Sequence, residues 1–270
     1  LPRVMQWITG GSMRHFPVHD FRLVEFPPGA EMAIMHTMLL ARSDRFVNLV
    51  QWLSLAGSCV AVSLIARELG AGRRGQVVSA LLVVAMPMAI LQGSSTQNDL
   101  VAGFFTLGFV LFLLRLRNAT GMRLYAECLV AGLFLGLSWH AKGTAYVYTL
   151  PFCIWLGCWM WRGEFGRRFV ALAMLAVVAV ALNGFHFQRN WSAFRNPLRS
   201  PVDLSVTNAR LGVGVTFSNM VRNAAVHIGL PNAGYNEMAG AAIRGLHWRL
   251  GIDPDDLAII ERLIRQEHGI

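Results

Sequence analysis

Six apolar stretches, 46–66, 77–92, 99–114, 125–139, 145–161 and 169–186, alternate with short polar connections along the chain. Several hold about sixteen to eighteen strongly apolar residues, a little under the roughly twenty that span a bilayer core, and their Gly, Ser and Thr flanks lengthen each by a turn. The pattern predicts an all-α fold, a polytopic transmembrane bundle of six helices. Two shorter helical patterns precede it: 2–8, which carries a tryptophan, and 28–40, opened by a Pro pair that suits a helix start. The second is too short to span and is bounded by Arg42, Asp44 and Arg45, so it is expected to lie in the interface as a juxtamembrane helix. After His186 the chain turns polar and mixed, punctuated by Asn196-Pro197, Ser200-Pro201, Pro231-Asn232 and Asp253-Pro254. The acidic cluster from Asp253 reads most simply as the start of an amphipathic helix, with acids at its positive end.

Charge then sets the expected orientation. The first, third and fifth connections hold Arg67, Arg73 and Arg74; Arg115, Arg117 and Arg123; and Arg162, Arg167 and Arg168, whereas the second and fourth hold only Lys142. Because Lys and Arg are retained on the cytoplasmic side, the nine arginines are expected inside. The predicted organisation is a first extracytoplasmic loop over 1–45, a six-helix transmembrane region over 46–186 and a mixed extracytoplasmic region over 187–270. The expected location is a bacterial inner (plasma) membrane. Leu1 is not a Met and no signal-like segment precedes the first loop, so the chain reads as a fragment with an upstream span.

Composition narrows the picture. Charged residues make up 14% of the chain, against about 25% in an ordinary soluble domain. The net charge of +9 would suggest nucleic acid in a soluble protein, but the loop arginines account for it and no basic stripe remains for that partner. Cys59, Cys128, Cys153 and Cys158 all fall in apolar stretches without ligand spacing, and read as packing residues.

Residues able to do chemistry gather on the expected outer side. Asp99 is the only charge of the polar hinge 93–99, at the mouth of an apolar helix. It is either a functional carboxylate facing a cavity or, with Asn98, a cap for free backbone N–H groups. In the next outer turn Lys142 either meets a ligand or snorkels to lipid headgroups, and His140 is either an interfacial polar residue or a ligand. Arg189, beside His186, faces outward against the charge preference, which argues for a task such as holding a phosphate.

These pieces resemble the GT-C superfamily of polytopic glycosyltransferases, in particular the branch of protein O-mannosyltransferases, aminoarabinose transferases and RgtA/B/C/D-like bacterial transferases. The resemblance lies in Leu1-Pro-Arg-Val-Met-Gln-Trp7, Phe26-Pro-Pro-Gly-Ala-Glu31, Ala66-Arg-Glu-Leu-Gly70, Ser95-Thr-Gln-Asn-Asp99, Gln188-Arg-Asn-Trp191 and Asn196-Pro-Leu198. It implies a GT-C-like fold and transfer of a sugar from a polyprenyl-phosphate donor to a hydroxyl of a lipid, glycan or protein acceptor. Such enzymes carry one acid in the first outer loop and a second before a span, the position of Asp99. The first-loop acid is expected upstream of Leu1; Asp20, Glu25 and Glu31 remain in the loop, and with His140 they are the further acid, base or metal-ligand candidates. Lys142, Arg189 and Arg22 are the candidates for the donor phosphate, and a divalent metal is the cofactor such a site admits. The alternative is a secondary transporter or lipid-linked sugar flippase, with Asp99 and Lys142 as coupling charges and inverted repeats in the sequence.

Overall fold

The computed structural model describes residues 1–18, 22–161, 165–198, 212–227 and 229–253. Twelve helices and no strand occur among them. The helix expected from Asp253 onward lies outside the described residues. The chain divides into two compact units, Leu1–Ala85 with Ala89–Ser200, and Met86–Met88 with Pro201–Ile270.

In chain order the first ten helices are α1 (Pro2–Gly10), α2 (Arg22–Glu25), α3 (Gly29–Ala41), α4 (Leu49–Glu68), α5 (Arg73–Ala85), α6 (Pro87–Gly93), α7 (Asp99–Leu116), α8 (Gly121–Ala141), α9 (Ala145–Met160) and α10 (Phe165–Phe194). Four of them, α4, α7, α8 and α10, are long and apolar enough to cross a membrane; α5 and α6 together make a fifth if the bent pair is one span. The 67° bend falls where the apolar stretch 77–92 meets Pro87, which has no N–H to donate and crowds the preceding turn. Helix α9 has 16 residues, with Pro151 inside, and is the short member of the set. Helix α10 runs past His186 to Phe194; its 30 residues give about 45 Å at 1.5 Å each, longer than a hydrocarbon core of about 30 Å.

Helix α8 lies between α7 and α10, and α4 packs on the far side of α7. The α8–α10 seam is built on small residues four apart. A Cβ added at Gly132 would stand 2.6 Å from the Leu175 carbonyl oxygen, and one at Gly136 would stand 2.9 Å from the Ala179 Cα. Ala131, Ala171 and Ala179 are fully buried in the same seam. In lipid, where tails are as apolar as Leu, helices associate through such close backbone approach and through shared hydrogen bonds. The second kind is present too. Asn183 Nδ2 on α10 donates to the Gly136 carbonyl of α8 at 2.9 Å, Ser138 on α8 shares a 2.7 Å hydrogen bond with Thr106 on α7, and Trp139 Nε1 donates to Thr149 on α9 at 2.9 Å. Where α4 and α7 end, Glu68 takes Arg115 at 3.3 Å and Arg67 at 3.6 Å.

The described part of the second unit is a helix pair, α11 (Val213–His227) and α12 (Ala233–Arg249). Asn232 caps α12 by accepting from Tyr235 N at 3.0 Å. The buried His247 fastens the pair, with Nδ1 2.7 Å from the Ile243 carbonyl oxygen and Nε2 2.9 Å from Ser218 Oγ.

Candidate functional site

Antiparallel packing of α7 against α8 brings the start of one beside the end of the other. Asp99 and Lys142, 43 residues apart, meet there as an ion pair. Both side chains are partly open, 41% exposed for Asp99 and 29% for Lys142. The capping role considered for Asn98 and Asp99 is filled from another helix. Asn98 makes no side-chain cap bond, and the fully buried Gln51 of α4 accepts from Val101 N at 3.2 Å. Asp99 is therefore released from capping and engaged with the lysine.

Two hollows adjoin at this end. A cleft of about 250 Å³ is lined by Glu31, Asn98, Asp99 and Lys142 among others. A second recess of about 320 Å³ is walled by Val50, Leu53, Phe104, Phe105, Leu137 and His140 among others. Neighbouring residues line the two, Asp99 and Lys142 on one side and Val101 and Ala141 on the other, so a polar mouth opens beside an apolar chamber. The start of α3 closes on this place because residue 29 is glycine: a Cβ there would lie 2.7 Å from the His140 carbonyl oxygen.

A buried polar layer lies along the last turns of α10. Asn183, His186 and Asn190 follow one helical stripe, and none is more than 1% exposed. Asn190 Nδ2 donates to the Glu25 carbonyl at 2.8 Å, tying α10 to α2. Glu25 is itself fully buried. Arg3 of α1, 4% exposed, donates to the Phe26 carbonyl at 2.9 Å and stands 4.0 Å from Glu31. Arg189 keeps its Cζ 5.7 Å from the Phe185 ring centroid. Its Nε and Nη1 are buried without a hydrogen-bond partner among the described residues, as is Nδ1 of His186. The Arg189 charge reaches His15, His140 and His186.

Two guanidiniums, Arg3 and Arg189, share this region with the carboxylates of Glu25 and Glu31. Burial holds the Arg3 guanidinium below its usual range, with the Glu31 carboxylate working the other way. Burial likewise pushes His15 down to about 4, helped by the Arg189 and Arg3 charges and opposed by a backbone hydrogen bond with Val24. At neutral pH His15 is therefore an uncharged imidazole beside two guanidiniums.

The structure thus brings Glu31, Asp99 and Lys142 into one cleft and places His140 in the wall of the second recess. Arg189 lies in the polar layer with Arg3, a residue not singled out from the sequence. Arg22 opens α2, but its side chain, like all of Asp20, lies outside what the structure describes. Among the described residues no group of three His, Cys, Asp or Glu is arranged to hold a metal ion. Gln51, His15, Asn183 and Asn190 were also missed. The stripe of Asn183, His186 and Asn190 carried a readable signal, three polar residues at helical spacing. No family model, no curated protein and no solved structure matches the chain.

Proposed function

We propose that the chain belongs to a membrane glycosyltransferase of the GT-C kind, which moves a sugar from a polyprenyl-phosphate donor to a hydroxyl of a lipid, glycan or protein on the extracytoplasmic side. What supports this is the polar cleft of Glu31, Asp99 and Lys142 opening beside an apolar recess at one end of a membrane-suited bundle. A donor with a charged head and an isoprenoid tail needs both environments side by side. In this reading all six apolar stretches span, with α5 and α6 as one broken span and α9 as the short one.

The chemistry follows from the charges. The acceptor oxygen attacks the anomeric carbon and loses its proton, while the bond from that carbon to the phosphate oxygen breaks and its electron pair leaves with the phosphate. Asp99 is the carboxylate that meets the acceptor hydroxyl. Arg189 and Lys142 receive the phosphate, whose growing negative charge fixed cations stabilise. Lys142 then changes partners, from Asp99 in the free protein to the phosphate in the loaded one. The transporter alternative would place its coupling charges at mid-membrane, whereas Asp99 and Lys142 sit at helix ends.

The direct test gives the full-length protein in proteoliposomes a radiolabelled polyprenyl-phosphate sugar and follows label into a hydroxyl acceptor. Movement of the lipid-linked sugar between leaflets without transfer would refute the enzyme and favour the flippase. Within an active preparation, Lys142→Gln and Arg189→Gln should each raise the donor KM by about tenfold or more, the scale of one hydrogen bond to a charged group, with acceptor saturation less affected. Unaltered donor dependence in both would remove them from the site.

Orientation is tested separately. In a background without the native cysteines, Cys at Ser95 or Thr144 should react with an impermeant maleimide added to intact cells. Cys at Gly72 or Gly163, the latter outside the described residues, should not. Labelling at Gly72 would reverse the proposed sidedness.

A further inference from the structure

At the arginine-rich end of the first unit, α7 and α9 leave a groove of about 600 Å³ between them. One wall is the α7 row Val110, Leu114 and Arg117; the other is the α9 row Phe152, Trp155 and Trp159. Both rows follow helical spacing and so run side by side for two turns, roughly 10 Å at 1.5 Å per residue. Arg168 braces the second wall, donating to the Trp159 carbonyl at 2.8 Å with its Cζ 4.2 Å from the Trp159 ring centroid. The groove is therefore apolar and aromatic toward Val110 and Phe152, and polar at the end that holds Arg117 and Asn118.

The Arg117 guanidinium lines the groove, whereas Arg73 and Arg74, which are likewise exposed and make no ion pair among the described residues, do not. Arg67 and Arg115 meet Glu68, Arg123 meets Glu127 at 3.3 Å, and Arg168 is engaged with Trp159. Arg117 is exposed and makes no ion pair among the described residues. Asn118, the next residue in the turn that leads into α8, lines the groove beside it. A planar guanidinium suits phosphate oxygens. An aromatic groove leading away from it suits a hydrocarbon chain.

We infer that this groove holds one anionic phospholipid from the leaflet at the basic end, its phosphate on Arg117 and an acyl chain along Phe152 and Trp155. The site stands apart from the Asp99 cleft and does not depend on the glycosyltransferase reading. Basic pockets between membrane helices are a recurrent place for anionic headgroups. Charge complementarity chooses the anionic lipid over a zwitterionic one, which would bring its own cation to the arginine.

The test is native mass spectrometry of the full-length protein in detergent, titrated with phosphatidylglycerol or with phosphatidylcholine of the same chains. One phosphatidylglycerol adduct should form at concentrations where phosphatidylcholine gives none. Arg117→Gln should weaken it about fivefold, the scale of one basic group against an anionic lipid, and Arg117→Lys should restore most of the loss. Arg74→Gln removes an exposed charge from the same end but not from the groove, and should leave binding unchanged. Trp155→Ala should also weaken the adduct, by opening the acyl wall. Equal binding of both lipids, an adduct indifferent to Arg117→Gln, or glycerol 3-phosphate binding as tightly as the lipid would each overturn the inference. So would a dimer that Trp155→Ala dissolves with no change in lipid adducts, which would make the groove an interface between copies.

Discussion

Asp99→Asn should abolish sugar transfer while the protein still folds, inserts and resists detergent as before. Removing a positioned carboxylate from an acid–base step typically costs about 10²–10⁴ in rate. Stability should hardly change, for two structural reasons. The start of α7 is capped by Gln51, not by residue 99. The lost ion pair with Lys142 is partly open to solvent, and exposed pairs contribute only about 0.2–1 kcal/mol. Gln51→Leu supplies the converse. It leaves the Val101 N–H buried without an acceptor, at a cost of about 1–3 kcal/mol, and leaves the Asp99 carboxylate chemically unaltered. Separate effects, one on rate and one on melting, are the expected result. Wild-type turnover in Asp99→Asn would remove Asp99 from the chemistry.

Gly132→Val should be the most damaging single change to the bundle. The glycine lets α8 approach the α10 backbone, and even a first added carbon would stand 2.6 Å from the Leu175 oxygen. Backbone cannot swing aside as a side chain can, so the two helices must separate. Overpacking costs about 1–3 kcal/mol where the surroundings yield, and this seam yields little. The separation would also strain the Asn183 bond to the Gly136 carbonyl, one turn further along. Gly157→Ala on α9 is the control, since nothing lies within 4 Å of its would-be Cβ. Thermal unfolding in detergent should show a large drop for Gly132→Val and none for Gly157→Ala. Equal tolerance of both would mean that the α8–α10 seam is looser than its geometry indicates.

The helices were legible from the sequence because unbroken apolar runs leave lipid-facing backbone little choice but helix. Their irregularities were less so. Pro87 stood in plain view inside the stretch 77–92, yet an apolar count does not register a missing N–H, and the bend went unread. The extension of α10 to Phe194 was hidden because its last turns change from lipid-facing to partly polar, which resembles a loop by composition. At the candidate site Asp99, Lys142 and Arg189 were each picked out as solitary charges. The pairing of Asp99 with Lys142 was not, since it arises from the antiparallel contact of α7 and α8. Gln51 and Arg3 gave no local signal at all; their partners are a backbone N–H of residue 101 and a carbonyl of residue 26. The Gly132 and Gly136 pair did give one, a small-residue spacing in an apolar segment, and it was the most readable feature overlooked.

The Gln51 cap also bears on the order in which the protein is assembled. The first turn of α7 has no local acceptor for the Val101 N–H, so it is completed only when α4 is alongside. Ribosomal synthesis delivers α4 fifty residues earlier, and the acceptor is waiting in the bilayer as α7 emerges. A circular permutant translated with α4 after α7 would reverse that sequence. Its nascent α7 would dwell with an unsatisfied donor, and the permutant should mature more slowly and meet quality-control proteolysis more often than the natural order, although the finished contacts are the same.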